Sequence, residues 1–240
     1  MNNSCVCLIT LKPEETWLDF LSKFTSYPIY IIVDDNSVNY KELYARYSNI
    51  HIIQIENQAC KDAGYNNVNF LVKKEISGWA KAIYYFSVVN TSYNNVWFFE
   101  DDIFFQNEKT LIDIDSKYSD SDLLSNNYGE NTTGEKGTWL WRNITIQFPP
   151  PYYCAMVCSV RMSKAMLSAI KDYATEHKTL FFIEALFSSL CKKNGLKYDT
   201  PSELTTIVWQ KNFINSDINS TNLFHPVKDL AKHVYFRSLV

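Results

Sequence analysis

Along the first half of the chain, short runs of apolar residues alternate with stretches whose apolar positions recur at helical spacing. Ser4–Thr10, rich in Val, Leu and Ile, predicts a buried strand. Glu14–Phe24 follows with Trp17, Leu18, Leu21 and Phe24 on one face, opened by Pro13 and two acids, and predicts a helix. Ile29–Asp34 predicts a second strand, with turn chemistry in Asp35-Asn36-Ser37. Tyr40–Tyr47 then reads as a short helix and Ile50–Ile55 as a third strand. Ser77–Val89 sets Trp79, Ala80, Ile83, Tyr84 and Ser87 on one helical face, and Asn95–Asp102 is a fourth strand that ends in acid. Such alternation predicts an α/β fold, a mostly parallel central sheet flanked by helices.

The middle of the chain changes character. Ser125–Asn143 holds Gly129, Gly134 and Gly137 and then Trp139-Leu140-Trp141-Arg142, and reads as a long aromatic-bearing loop closed by Pro149-Pro150-Pro151. Beyond it, Tyr152–Val160 is strand-like, Ser163–Tyr173 a helix capped by Ser163, and Phe181–Lys193 a helix ended by Asn194-Gly195. Nothing in the pattern marks a linker, so the expectation is a single domain over residues 1–240. Its 1–105 half would bind nucleotide, and its 106–240 half would bind acceptor and carry a metal-binding tail.

Composition narrows the class. With 46% hydrophobic and 20% charged residues among 240, the chain has material for a sizeable core. A net charge of −3 gives no electrostatic reason to expect a nucleic-acid partner. No run of about 18 apolar residues occurs, so no membrane span is expected. The six cysteines lie mostly in apolar segments without a CxxC pair, and read as reduced core thiols of a cytoplasmic protein.

The chemistry concentrates in Glu100-Asp101-Asp102 at the end of an apolar strand. Three adjacent carboxylates repel one another, and a divalent cation would remove that penalty; a solvated turn is the alternative. Asp34 and Asp35 end another strand, where they could accept hydrogen bonds from a base or ribose or simply form an Asx turn. Ligands of open parallel sheets bind at strand carboxyl ends, so two such endings favour a nucleotide site.

The VDDNS turn, the later strand ending EDD and the C-terminal His225-Pro226-Val227-Lys228 resemble GT-A glycosyltransferases, the nucleotide-diphospho-sugar transferases, in order from Ser4 to Lys228. The resemblance implies a GT-A-like (Rossmann-like) domain with a DxD-type metal motif. Asp34 and Asp35 would lie at the nucleoside. Asp102, assisted by Glu100 or Asp101, would be the main ligand of Mn²⁺ or Mg²⁺ and His225 an additional one. Asp101 would also belong to the donor-binding set, and Lys228 would approach the diphosphate. Glu100 stands where the common motif has Asp. Glu184, a lone carboxylate in Phe181–Phe187, resembles the catalytic base of inverting enzymes; a solvated helix acid is the alternative. Lys81 could face phosphate or solvent, and Trp139, Trp141 and Arg142 could form an acceptor platform or pin their loop. The implied reaction moves a sugar from a nucleotide-diphosphate donor, UDP by expectation, to a hydroxyl of a glycan, protein or small molecule. A sugar nucleotidyltransferase would need a glycine-rich loop where Leu11-Lys12-Pro13-Glu14-Glu15 stands. A non-catalytic nucleotide- or glycan-binding relative is the other alternative.

Overall fold

In a computed structural model of the chain, residues 3–72, 74–137 and 139–239 are described. Met1, Asn2, Lys73, Thr138 and Val240, the last bounding the expected domain, lie outside them. The elements run β1 (Ser4–Thr10), α1 (Glu15–Leu21), β2 (Ile29–Val33), α2 (Tyr40–Leu43), β3 (Ile50–Gln54), α3 (Asn57–Asp62) and α4 (Gly78–Tyr84). There follow β4 (Asn95–Glu100), α5 (Glu108–Lys117), β5 (Leu123–Asn131), β6 (Tyr152–Ser163), α6 (Lys164–His177), α7 (Ile183–Lys193), β7 (Tyr198–Asp199) and α8 (Leu230–Arg237).

Seven strands form one sheet in the order β3-β2-β1-β4-β6-β5-β7. The first four are parallel, β6 runs antiparallel to both β4 and β5, and β7 is parallel to β5. The fold is α/β with a mostly parallel sheet, as the strand–helix alternation implies. Because side chains alternate across a strand, β1 divides its residues between the two faces. Cys5, Cys7 and Ile9 join the core beneath α4, α6 and α7, whereas Val6 and Leu8 join the core beneath α1 and α5. β4 does the same with Val96 and Phe98 against Trp97 and Phe99. β1, β2 and β4 are buried on both faces, which is why these segments read as nearly continuous apolar runs, whereas β3 at the sheet edge exposes His51.

One expected element is corrected. The first part of Ser125–Asn143 is the outer strand β5, paired with β6 through register shifts at Leu124/Asn126 and Asn127/Gly129. Asn and Gly accumulate there because the strand is bulged, and such residues suit bulges as well as loops. Two of the expected strand ends are shorter than read: Asp34, Asp101 and Asp102 follow their strands in turns. The six cysteines are buried and free. No helix among the described residues is long and apolar enough to cross a membrane.

Candidate functional site

The carboxyl end of β4 is where the predicted chemistry gathers. Period-two alternation puts Glu100 on the same face as Phe98, and Trp79 of α4 donates its indole N–H to Glu100 Oε1 at 2.6 Å. Burial, only partly offset by that hydrogen bond, raises the Glu100 pKa. Asp101 turns the opposite way. Its carboxylate accepts from Thr10 of β1 at 2.5 Å and its carbonyl from the Trp17 indole at 2.8 Å. The expectation that Asp101 approaches the donor is corrected accordingly: this side chain ties β4 to β1 and does not line the cavity beside Glu100.

Asp102 faces that cavity together with a segment from near the C-terminus. Val227 N–H donates to the Asp102 carbonyl at 2.7 Å, and Phe104 and Phe224 exchange backbone hydrogen bonds. These bonds carry His225, 6% exposed, to the strand end. Its Nε2 lies 3.4 Å from Asp102 Oδ1, and its Nδ1 lies 2.7 Å from the Val208 carbonyl. Burial alone would lower the His225 pKa; Asp102 and the Val208 carbonyl outweigh it and hold the imidazole above its usual value. Asp102 Oδ1 is buried and has no hydrogen-bond partner among the described residues. An orphaned buried carboxylate oxygen beside an imidazole is an unusual expense in a native fold, and a cation would satisfy it.

Ligand atoms of Glu100, Cys158 and His225 all lie within 4.8 Å of one another. The group takes in Cys158 in place of the expected Asp102, which lies 3.4 Å from His225; the carboxylate and imidazole of the group are donors that Mn²⁺ accepts. Cys158 was read only as a core thiol, because a cysteine inside an apolar strand carries no sequence mark of its neighbours. Burial first, and the Glu100 and Asp102 charges next, keep it a protonated thiol.

The cavity here, about 310 Å³, is lined by Glu100, Asp102, Cys158, Glu184, His225 and Lys228 among others. Glu184 stands in the first turn of α7, where Tyr128 of β5 donates to its Oε2 at 2.8 Å. Desolvation raises its pKa, with the Glu100 charge acting in the same direction and the Tyr128 hydrogen bond against it. Tyr128 escaped the sequence reading because it lies in the segment taken for a loop.

Asp34 and Asp35 do not line this cavity. Asp34 meets the ammonium groups of Lys74 at 2.6 Å and Lys81 at 3.1 Å. Lys81, 1% exposed, also donates to the Asp34 carbonyl at 2.7 Å. Neither phosphate nor solvent is its surroundings, a correction with a local cause. A Cβ at Gly78 would meet Ile9 Cγ2 at 2.8 Å, so the bare glycine lets α4 close on the strand ends and brings Lys81 onto Asp34. Asp35 forms the Asx turn: it accepts from the Ser37 N–H and hydroxyl, both at 2.9 Å, and from Tyr40 at 2.7 Å. These bonds, the Ser37 N–H first, hold its pKa down to about 2.

The three expected acceptor residues separate. Trp139 lines a second cavity that adjoins the first. Trp141 is 5% exposed and belongs to the core beneath α7, so it packs and offers no platform. Arg142 is exposed and lines neither cavity.

No family model matches the chain, and no curated protein matches it. Among solved structures, an active-site mutant of LgtC superposes with a TM-score of 0.51 at 8% identity, covering 98% of this chain and 95% of that one. Apo mouse xyloside xylosyltransferase 1 matches with a TM-score of 0.43 at 8% identity over 84% and 85% of the two chains. The 4-diphosphocytidyl-2C-methyl-D-erythritol synthase of Anaerococcus prevotii gives 0.47 at 9% identity over 82% and 87%. At such identities a likeness speaks of architecture alone. The fold is GT-A-like.

Proposed function

We propose that this chain is a metal-dependent glycosyltransferase that moves a sugar from a nucleotide-diphosphate donor, UDP-linked in the first instance, to an acceptor hydroxyl. The observation that carries the reading is one of convergence: Glu100, Asp102, His225, Lys228 and Glu184, drawn from β4, α7 and the tail, all line one cavity at a strand carboxyl end.

Glu100, Asp102 and His225 would hold Mn²⁺ or Mg²⁺, which when bound supplies positive charge to a departing diphosphate. Lys228 adds a flexible point charge at the same rim. Glu184 takes the acceptor proton. Tyr128 fixes its orientation, and its raised pKa brings its basicity closer to neutral pH. Asp34 and Asp35 shape the neighbouring strand end, Asp34 through the buried Lys81 and Asp35 through its turn.

Asp102→Asn tests the reading. The side chain sits in a turn outside the core, so the fold should survive while Mn²⁺-dependent UDP binding falls at least tenfold. Titration calorimetry with UDP and Mn²⁺, beside a donor-hydrolysis screen over nucleotide sugars, reads both effects. Wild-type affinity in the mutant would remove Asp102 as a ligand, and a silent screen would remove the transferase.

A further inference from the structure

Next to the acidic cavity lies a larger one of about 560 Å³, a volume usual for small-molecule sites. Glu184, Leu71 and Trp209 line both. The larger cavity's remaining walls are almost wholly apolar: Leu140, Met156, Ile207 and Val208 with the rings of Tyr128 and Trp139. Trp139 holds φ at +47°, a left-handed backbone that bulky residues seldom adopt, and its ring meets Tyr128 edge-on at 5.9 Å. Strained backbone of this kind concentrates at ligand clamps.

Among the described residues, polar groups on this wall are few, and two of their donors are already engaged. Asn126 donates its amide to the Ile207 carbonyl at 2.8 Å, and Tyr128 donates its hydroxyl to Glu184. Apart from the second amide hydrogen of Asn126 and the indole N–H groups of Trp139 and Trp209, what these polar groups offer a ligand is acceptor oxygen. A hexose carries a hydroxyl on nearly every ring carbon, and with so few polar groups in the wall most of them would lose water here without gaining a partner. A flat apolar ring loses nothing on entry and gains aromatic contact. A single hydroxyl at its edge would find one strong acceptor, the Glu184 carboxylate.

We infer that the acceptor is an apolar ring-bearing molecule with one hydroxyl, a phenol or aryl alcohol, seated in this cavity with the hydroxyl at Glu184. The inference rests on the transferase reading above. In the step, the acceptor O–H gives its proton to Glu184 and its oxygen bonds the anomeric carbon of the donor sugar. The bond from that carbon to the diphosphate oxygen breaks, and the diphosphate leaves with the electron pair.

Calorimetry with 2-naphthol, n-decanol and methyl glucoside as probes tests the cavity separately from catalysis. Naphthol should bind at least tenfold more tightly than methyl glucoside and more tightly than decanol. Leu140→Asp, which puts a charge on a wall that the acidic cavity does not share, should weaken naphthol at least tenfold and leave UDP–Mn²⁺ affinity unchanged. Trp209→Ala serves as a second variant, since Trp209 is 65% exposed and its loss leaves folding untouched. Equal or tighter methyl glucoside binding, preference for decanol, or naphthol binding indifferent to both variants would overturn the inference. Naphthol binding as expected with no turnover of any nucleotide sugar would keep the cavity's ligand class and remove the transferase. Transfer to methyl hexosides without naphthol binding would do the reverse.

Discussion

Only Tyr128 hydrogen-bonds the Glu184 carboxylate among the described residues, and that single donor fixes one oxygen while leaving the other for chemistry. Glu184→Gln keeps shape and hydrogen bonding but cannot take a proton. Turnover should fall by about 10²–10⁴-fold, the usual worth of a general base, with UDP–Mn²⁺ affinity barely changed. The pH profile adds a second reading. Burial raises the Glu184 pKa, so its proton is held to a higher pH than that of an ordinary glutamate. Transfer needs the ionised form and should therefore rise as pH increases through the raised value, then level off. In Glu184→Gln that limb should vanish. Near-normal turnover in the mutant would assign the proton to another group. At this scale the sequence marks Glu184 as a lone carboxylate among apolar residues and Asp102 by the acidic run that closes an apolar strand, whereas His225 stands out only beside that run and through the resemblance. It was silent on Cys158 and Tyr128, whose residue types are ordinary in strands and whose neighbours come from distant segments.

Among the elements, β6 and α5 are joined by a buried ion pair that no motif announces. Arg161, wholly buried, donates to Asp115 at 2.8 Å and to the carbonyls of Tyr118 and Ser121 at 2.6 and 2.9 Å. Asp115 also accepts from Trp97 and Tyr27. Removing one member strands the other in the core. Arg161→Met should cost about 3–5 kcal/mol in urea unfolding. A joint Arg161→Met, Asp115→Leu variant should recover part of it, since Trp97 and Tyr27 would still lose their acceptor and the Tyr118 and Ser121 carbonyls their donor. If the single substitution proved neutral, the pair would not be what fixes α5 against the sheet. The strands β1, β2 and β4 were legible because burial on both faces makes them almost wholly apolar, and the edge strand β3 by its isoleucines. β5 and α5 were not. A bulged strand borrows the vocabulary of loops, and α5, with Asp115 turned inward to Arg161, breaks the apolar stripe by which helices are recognised.

For the molecule as a whole, the tail rests on its own small core. Phe104, Phe213, Phe224, Val227 and Phe236 pack together beyond the sheet, and α8 seals them. Phe236→Ala should cost about 3–5 kcal/mol locally, the range for deleting a buried phenylalanine. The loss should appear as faster amide exchange over 223–237 with the exchange of β1–β4 little altered. UDP affinity with Mn²⁺ should fall further than affinity without metal, since His225 and Lys228 both travel with the tail and only Lys228 acts without the cation. Equal loss in both conditions would make the tail a support for the whole site.

The late position of that strap in the chain has a consequence for biosynthesis. Glu100 and Asp102 leave the ribosome with β4, well before His225, which needs Phe104, Ile207 and Phe224 already in register. A nascent chain can thus assemble its parallel strands while Glu100 and Asp102 still lack the imidazole beside them. A message truncated just downstream of α7 would therefore yield a chain with its parallel strands formed and its acidic corner open, because Phe224, which bridges to Phe104, and His225 both lie beyond the cut.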